Sequence, residues 1–469
     1  MLDVRPLVEP RSVAIVEASA TAGKAGNVLI RNIRAGKFPG PMYPINPRGG
    51  EIESCATYPT IGEAPRGIDL AFLVLGREQT LSAVEECRKA GVKAVCIVTA
   101  GFSEGDAWGK NEHGKVKRLI QDAGMVAIGP NTIGTVSMGG KLMGSFVPYP
   151  SWTPGSVGIC AQTGIFAGAV MLEVMSATRQ GLGVHASIDI GNCVGITELD
   201  LLEHFAGDPS MDVLGFYLEE IASPREFLGR ACEVKTRKPI VVLKPGRTSE
   251  GARASASHTG SLMQEDAVID GLLYQHGLVR AGSVREFLLT LKGFSYGGVP
   301  VGDGVGVITY SGALGVIATD ELVHAGLRVA DLDAGTLRSI QELLPGWQAA
   351  ANPADLWSAA ERNPERTLRT SLDAVLRDRS VDQVLLIMLA VPNVDFEGVG
   401  EVFKLAREQH PNKPLHLVLH GGQVKERWVD AVEGLAIPVY DSTADAVRVM
   451  SSMARYALTR SRVPRAQGI

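Results

Sequence analysis

Two stretches of the chain, GSVGICAQTG at Gly155–Gly164 and DGVGVITYSG at Asp303–Gly312, follow the same pattern. In each, β-branched and apolar residues alternate with glycine over six or seven positions. A turn of small polar residues follows, ending on glycine, and then an apolar-periodic run, FAGAVMLEVM in one and ALGVIATDEL in the other. A short β-branched run that breaks at a small-residue turn and resumes with helical periodicity is the strand–turn–helix unit of a parallel sheet. The correspondence continues in order. GNCVGITELDLL parallels NPADLW, DVLGFYLEE parallels DQVLLIMLA, KPIVVLKPGR parallels KPLHLVLHGG, and GLVRAGSVREFLLTL parallels AIPVYDSTADAVRVM. An internal repeat of this length means two homologous α/β domains, which the reading places at residues 150–297 and 300–460.

Ahead of the repeat, SVAIVEAS, IDLAFLVLG, VKAVCIVTAG and MVAIGPN are four more such strands, each closing in glycine, proline or small residues. They define a first α/β domain over residues 1–138. The glycine- and proline-rich MGGKLMGSFVPYPSWTPGS reads as a linker.

Both repeat turns, CAQTG and TYSGA, set unpaired N–H groups and a helix dipole at the carboxyl end of a strand, where open α/β sheets bind ligands. A plain tight βα connection is the alternative for either turn alone. One copy also carries an insertion, for the second lacks most of Thr248–Gln275. Within it, GARASASHTGSL surrounds His258 with residues too small to cover it, which reads as a flexible loop open to approach. Ser257, Thr259 and Ser261 are N-cap candidates for a following helix with apolar positions Met263, Val268, Ile269, Leu272 and Leu273. A solvated loop and a phosphate-related histidine both fit these residues.

Composition narrows the class. The chain has 469 residues, a net charge of −5, 6% aromatic residues and a mean hydropathy of +0.10. This fits a soluble protein with several cores and speaks against nucleic acid as the partner. Six scattered cysteines form no CxxC, so reduced thiols in a cytoplasmic protein are expected. MLDVRPLVEP is acidic and too short in its apolar run for a secretory signal, and no stretch is long enough to span a bilayer. His416 and His420 in HLVLH would stand ~13 Å apart along a strand, too far to share an ion. No metal is expected on this chain.

With these residues in hand, the chain resembles the NDP-forming acyl-CoA synthetase superfamily, which includes succinyl-CoA synthetase and ADP-forming acetyl-CoA synthetase. SHTGSL at Ser257–Leu262, preceded by VLKPGR at Val242–Arg247, is similar to the family's phosphohistidine loop. The resemblance implies a Rossmann-like CoA-binding domain followed by two flavodoxin-like domains. It further implies that His258 is phosphorylated in turnover, with Thr259 and Gly260 beside it. The phosphate would be held by two helix N-termini, at Gln162, Thr163 and Gly164 and at Ser311 and Gly312, whose partial charges of roughly +0.5 each suit a phosphohistidine. FYLEE matches a family segment that makes Glu219 the carboxylate orienting the imidazole, and Gly191 and Asn192 in IDIGNC match a substrate-site turn.

For coenzyme A, the resemblance implies contacts from Ser19, Lys24 and Gly26 in SVAIVEASATAGKAG and from Asn46, Pro47 and Arg48 in YPINPR. Thr99, Gly101 and Phe102 in TAGFSE would line the pantetheine path, and GPNTIG offers Pro130, Asn131 and Gly134 for CoA. One departure stands out: Glu17 occupies a position where the family has glycine, adding a side chain and an anion beside phosphates. ATP or ADP with Mg²⁺ is expected on a separate ATP-grasp β subunit, in an α2β2 assembly. A CoA- or acyl-group-binding protein without turnover, and an acyl or carbamoyl transferase on the same scaffold, are the other readings.

Overall fold

The computed structural model of the chain describes residues 2–147, 154–164, 183–259, 265–360, 363–390 and 396–461, with no account of the side chains of 256–259 and 396–397. These residues form two compact units, one up to Arg280 and one from Ala281.

The first unit holds two large sheets and a small antiparallel pair, Glu51–Ile52 with Cys55–Ala56. In the first, β1 (Val13–Val16), β2 (Met42–Ile45), β3 (Leu70–Leu73), β4 (Ala94–Ile97) and β5 (Val126–Ile128) lie in the order β2-β1-β3-β4-β5, and every pairing is parallel. β3 and β4, LAFL and AVCI, are buried throughout, as a sheet covered by helices on both faces requires. The covering helices are closed by local chemistry. Asp106 caps Ala107–Ala123 by accepting from the Gly109 N–H, and Gly124 ends that helix at φ 59°; Gly91 ends Thr80–Ala90 at φ 75°.

The second sheet contains β6 (Gly134–Ser137), β7 (Leu142–Ser145), β8 (Val157–Ala161), β9 (Val184–Asp189), β10 (Val213–Tyr217), β11 (Ile240–Leu243) and β12 (Val279–Ala281), in the order β12-β11-β10-β8-β9-β6-β7. β8 runs parallel to β9 and β10, whereas β6 is antiparallel to both β9 and β7. Part of the expected linker is therefore a buried strand. Leu142 has no exposed surface, and the Asn32 amide donates to the carbonyls of Ser145 (2.6 Å) and Val147 (2.7 Å), fixing the strand end against the first domain.

The histidine insertion also departs from its expected form, because Ser249–Thr259 is a helix and not a loop. Three alanines, Ala252, Ala254 and Ala256, favour helix, and Thr248 starts it by accepting the Gly251 N–H on its hydroxyl at 3.0 Å. Ser257 and Thr259 thus lie inside this helix rather than before the next one. Ser261 and Met263 lie outside the described residues, and the next helix, Asp266–Gln275, has Glu265 at its N-cap. Arg280 ties that helix to β12 through Asp266 and, at 2.9 Å, Asp270.

In the second unit, β13 (Gly304–Thr309), β14 (Arg328–Val329), β15 (Ala354–Asp355), β16 (Gln383–Leu389), β17 (Leu415–His420) and β18 (Val439–Tyr440) form a sheet ordered β14-β13-β16-β17-β18, with β15 also beside β13. All its pairings are parallel. Helix Val284–Gly297 packs in this unit against Thr443–Thr459, with Phe294 edge-on to Tyr456 at 5.3 Å.

The registers reproduce the repeat. Ala161 lies opposite Tyr217, and Tyr217 opposite Leu243; Thr309 lies opposite Ile387, and Ile387 opposite Val418. All six cysteines are free thiols. Among the described residues, no helix is long and apolar enough to cross a membrane, and no three His, Cys, Asp or Glu side chains cluster as metal ligands. His416 is fully buried, its Nδ1 3.1 Å from the Tyr440 hydroxyl.

Candidate functional site

The carboxyl end of the first sheet builds one half of the site. After β1 the chain turns at Glu17, whose φ of 61° is a conformation better suited to glycine, and enters helix Ala25–Ala35 through Lys24, which gives it no side-chain cap. The helix packs so tightly on the turn that a Cβ on Gly26 would lie 2.7 Å from the Glu17 carbonyl oxygen. Asn46 donates to the Ala18 carbonyl at 2.7 Å and accepts the Arg48 N–H at 2.9 Å, while the Ser19 hydroxyl accepts the Thr21 N–H at 3.1 Å. Ser19, Lys24, Gly26, Asn46 and Arg48 thus belong to one pair of adjoining turns. Beside them, a cavity of about 260 Å³ is lined by Glu17, Pro47, Gln79 and Glu86 among others. An uncapped helix N-terminus with lysine and arginine nearby suits a phosphate group.

Three further turns meet where the two sheets of this unit adjoin. Thr99 fixes the turn after β4 through its hydroxyl to the Leu75 carbonyl (2.7 Å) and accepts the Asn131 N–H on its own carbonyl (2.8 Å). Pro130, in turn, accepts the Asn192 N–H at 2.9 Å. Gly191, at φ 51°, has no room for a side chain, since a Cβ would lie 2.5 Å from the Pro130 carbonyl oxygen. Asp189 clamps these turns from beneath: one carboxylate oxygen accepts the Ile133 N–H (2.9 Å) and the other the Gly191 N–H (3.0 Å). Complete burial raises its carboxyl to about 6, against the lowering effect of those hydrogen bonds. Phe102, expected along the pantetheine path, has no exposed surface and packs in the core of the first sheet. Only its backbone reaches the turn.

From this junction a polar chain leads to Glu219. Gln162, at the end of β8, has its amide nitrogen 4.0 Å from the Cys193 sulfur and 2.8 Å from the Glu220 carbonyl. Its amide oxygen accepts the N–H groups of Glu219 (2.6 Å) and Glu220 (2.9 Å). The Gln162 side chain therefore braces the Glu219 turn, leaving its backbone at the turn with Thr163 and Gly164. Gly164 packs closely, for a Cβ there would lie 2.6 Å from the Ile133 side chain, which would have to shift. Glu219 is 8% exposed. Its carboxylate accepts from the Tyr217 hydroxyl at 3.2 Å, and the buried Lys244 ammonium donates to its carbonyl at 3.1 Å. Burial lowers the Lys244 pKa, and the Arg280 charge lowers it further.

The structure thus brings together Thr99, Gly101, Pro130, Asn131, Gly191, Asn192, Gln162 and Glu219. His258 and Thr259 lie at the end of helix Ser249–Thr259, with side chains outside the described residues, as is all of Gly260. In the other unit, Ser311 is the N-cap and Gly312 the first residue of helix Gly312–His324, with no side-chain cap. Sequence reasoning assigned nothing to Glu104, Asp189 or Lys244. For Glu104 a signal existed, a carboxylate three residues after a glycine that enters a turn, placed to cap that turn's own N–H groups. Asp189 and Lys244 sit at strand ends, where only the sheet register reveals what they face.

Family models match the chain in three consecutive blocks: a CoA binding domain over residues 11–138, a succinyl-CoA ligase like flavodoxin domain over 154–294 and a ligase-CoA domain over 305–464. The chain is 32% identical to acetate–CoA ligase [ADP-forming] II of Archaeoglobus fulgidus, across 98% of this chain and 68% of that protein. It is 30% identical to the alpha subunit of acetate–CoA ligase [ADP-forming] I of Pyrococcus furiosus, across 97% of this chain and 98% of that subunit. The fold superposes on a dinucleotide forming acetyl-coenzyme A synthetase 1 of Ca. Korarchaeum cryptofilum, solved with phosphate and ADP, with a TM-score of 0.92, 29% identity and full coverage of both chains.

Proposed function

This chain belongs to the NDP-forming acyl-CoA synthetase family, and on that premise we propose that it works as the α subunit of an ADP-forming acyl-CoA synthetase. With a separate ATP-grasp β subunit, in an α2β2 assembly in the cytoplasm, it joins a carboxylic acid to the thiol of coenzyme A at the expense of ATP. The observation that carries this reading is the meeting of the Thr99–Glu104, Pro130–Asn131 and Gly191–Asn192 turns, linked through Gln162 to Glu219.

In the synthetic direction, a His258 nitrogen takes the γ-phosphoryl group of ATP and releases ADP. A carboxylate oxygen of the acid then takes the phosphoryl group, freeing the imidazole and leaving an acyl phosphate. The CoA sulfur attacks the acyl carbon, its proton departs, and phosphate leaves. Passing through a covalent intermediate divides one difficult displacement into easier ones. Glu219 steadies the imidazole, and the Gln162–Gly164 and Ser311–Gly312 turns each offer backbone N–H groups to phosphate. Ser19, Lys24, Gly26, Asn46, Pro47 and Arg48 take the nucleotide end of CoA. The nucleotide and its Mg²⁺ enter on the β subunit. We place the three domains at residues 1–138, 150–297 and 300–460.

The test is to mix the purified chain with a matching ATP-grasp subunit and labelled ATP. Acid-labile phosphate on His258 is expected, and its absence would defeat the reading. A second reading, CoA binding without turnover, draws on Glu17, which sets an exposed carboxylate at a strained turn beside the cavity. CoA binding in calorimetry without phosphorylation would favour it.

A further inference from the structure

Glu104 gathers three donors on one carboxylate. One oxygen accepts the Gly101 N–H at 2.7 Å. The other accepts the Phe102 N–H at 3.1 Å and the Asn192 side-chain amide at 2.5 Å. Gly101 and Phe102 belong to the turn after β4 in the first sheet, while Asn192 belongs to the turn after β9 in the second. With Gly101 at φ 93°, two successive N–H groups face the same carboxylate, the kind of concavity that captures an anion. Here the anion is the chain's own.

We propose that Glu104 is a positioning residue that couples the CoA turn to the acyl-group turn. Its carboxylate aims the Asn192 amide and, by filling the Gly101–Phe102 concavity, keeps phosphate out of it. The argument rests on the proposed acyl-CoA synthetase reading. Two consequences follow from the geometry. An acyl phosphate shares its site with the side chain that Glu104 grips, so its binding alters the hold on Gly101–Phe102, where the pantetheine arm runs. By reciprocity, CoA alters acyl-phosphate binding by the same factor. Moreover, the Glu104 charge repels phosphate, directing it to the N–H groups at Gln162–Gly164.

The experiment measures the dissociation constant of CoA on the full chain by calorimetry, with and without acetyl phosphate as the probe. The wild type is compared with Glu104→Gln, Asn192→Asp and the pair combined, and thermal unfolding confirms that each variant folds. Acetyl phosphate should change the wild-type CoA affinity about fivefold or more. Glu104→Gln, with one acceptor for three donors, should bring that factor close to one and weaken CoA about tenfold. Asn192→Asp, which sets two carboxylates in contact, should do at least as much. The combined variant lets the new glutamine amide donate to the new carboxylate and should recover most of the coupling, which a merely structural residue would not do. A Glu104→Gln variant with the wild-type factor overturns this proposal and leaves the synthetase reading standing. A wild type that binds no CoA overturns both.

Discussion

The two copies of the repeat share the registers of their central strands and the turn after the first of them, yet they differ in the charged residues at their strand ends. With Tyr217 matched to Ile387 and Leu243 to Val418 by register, Glu219 corresponds to Leu389 and Lys244 to Leu419. The first pair sets a nearly buried carboxylate against an apolar side chain that is 44% exposed. The second sets a buried ammonium against a leucine with no exposed surface. What the copies share is structural. In each, an aspartate at the same register, Asp189 or Asp355, accepts the N–H two residues on, at 3.0 Å and 3.3 Å. In each, that aspartate lies near the glycine that ends the turn, 3.6 Å from a Cβ on Gly164 and 2.7 Å from one on Gly312. The glycines that suggest a phosphate cradle thus also face an aspartate in each copy. The first copy thus differs from the second in the charges at its strand ends and in the histidine segment, on a scaffold the two share.

The largest test removes what the second copy lacks. His258→Ala should abolish ATP-dependent acyl-CoA formation in the assembled enzyme, a loss of roughly 10³-fold or more, while CoA affinity and unfolding temperature stay near wild type. His258 lies at a helix terminus and in no strand, so a destabilisation of several kcal/mol would instead make the histidine structural.

Next in size is a substitution that gives the first copy the strand end of the second. Glu219→Leu installs the residue found at the matching register and should slow His258 phosphorylation roughly 10²-fold or more. It also leaves the Tyr217 hydroxyl without this acceptor, costing about 1–2 kcal/mol in stability. Phosphorylation at the wild-type rate would show that the carboxylate does not serve the imidazole.

How much of this was legible from the chain itself follows from the range of the forces involved. The repeat, the parallel strands and the turns are written in local apolar periodicity, so GSVGICAQTG and DGVGVITYSG disclose them directly. Strand Leu142–Ser145 is hidden because Gly139, Gly140 and Gly144 favour a loop locally, and only pairing with β6 and the long-range grip of Asn32 make it a strand. The histidine segment was misread in the other direction. Its small residues suggested flexibility, but alanine is small and also the best helix former. Glu104 and Asn192 are far apart in the chain, and only the junction of two sheets brings them to 2.5 Å.

A third test separates the shared scaffold from the added charge. Asp189 holds its proton more tightly folded than unfolded, with a folded value of about 6 against an ordinary 3.8. Its contribution to stability is therefore full below about pH 4 and is lost as pH rises through 6. Asp189→Asn cannot titrate. The stability of wild type relative to this variant should fall between pH 4 and pH 7, by up to about 3 kcal/mol. An offset that stays constant with pH would show that the clamp does not depend on the proton.

The smallest effect is expected where the second copy is given the missing acid. Leu389→Glu places a carboxylate at the register of Glu219, but the site around it differs. Leu419 stands where Lys244 would be, no counterpart of the histidine insertion follows β17, and the position is already 44% exposed. A glutamate there can hydrate freely, so its desolvation cost is small. Stability should change by no more than about 0.5 kcal/mol, and acyl-CoA formation should stay at the wild-type rate. Replacing an exposed apolar side chain would produce a larger loss only if a partner covers it. A marked drop in activity with the β subunit present, and none in the stability of the chain alone, would reassign Leu389 from a silent strand end to an assembly contact. The two copies would then differ in task, one holding the phosphate and the other the partner.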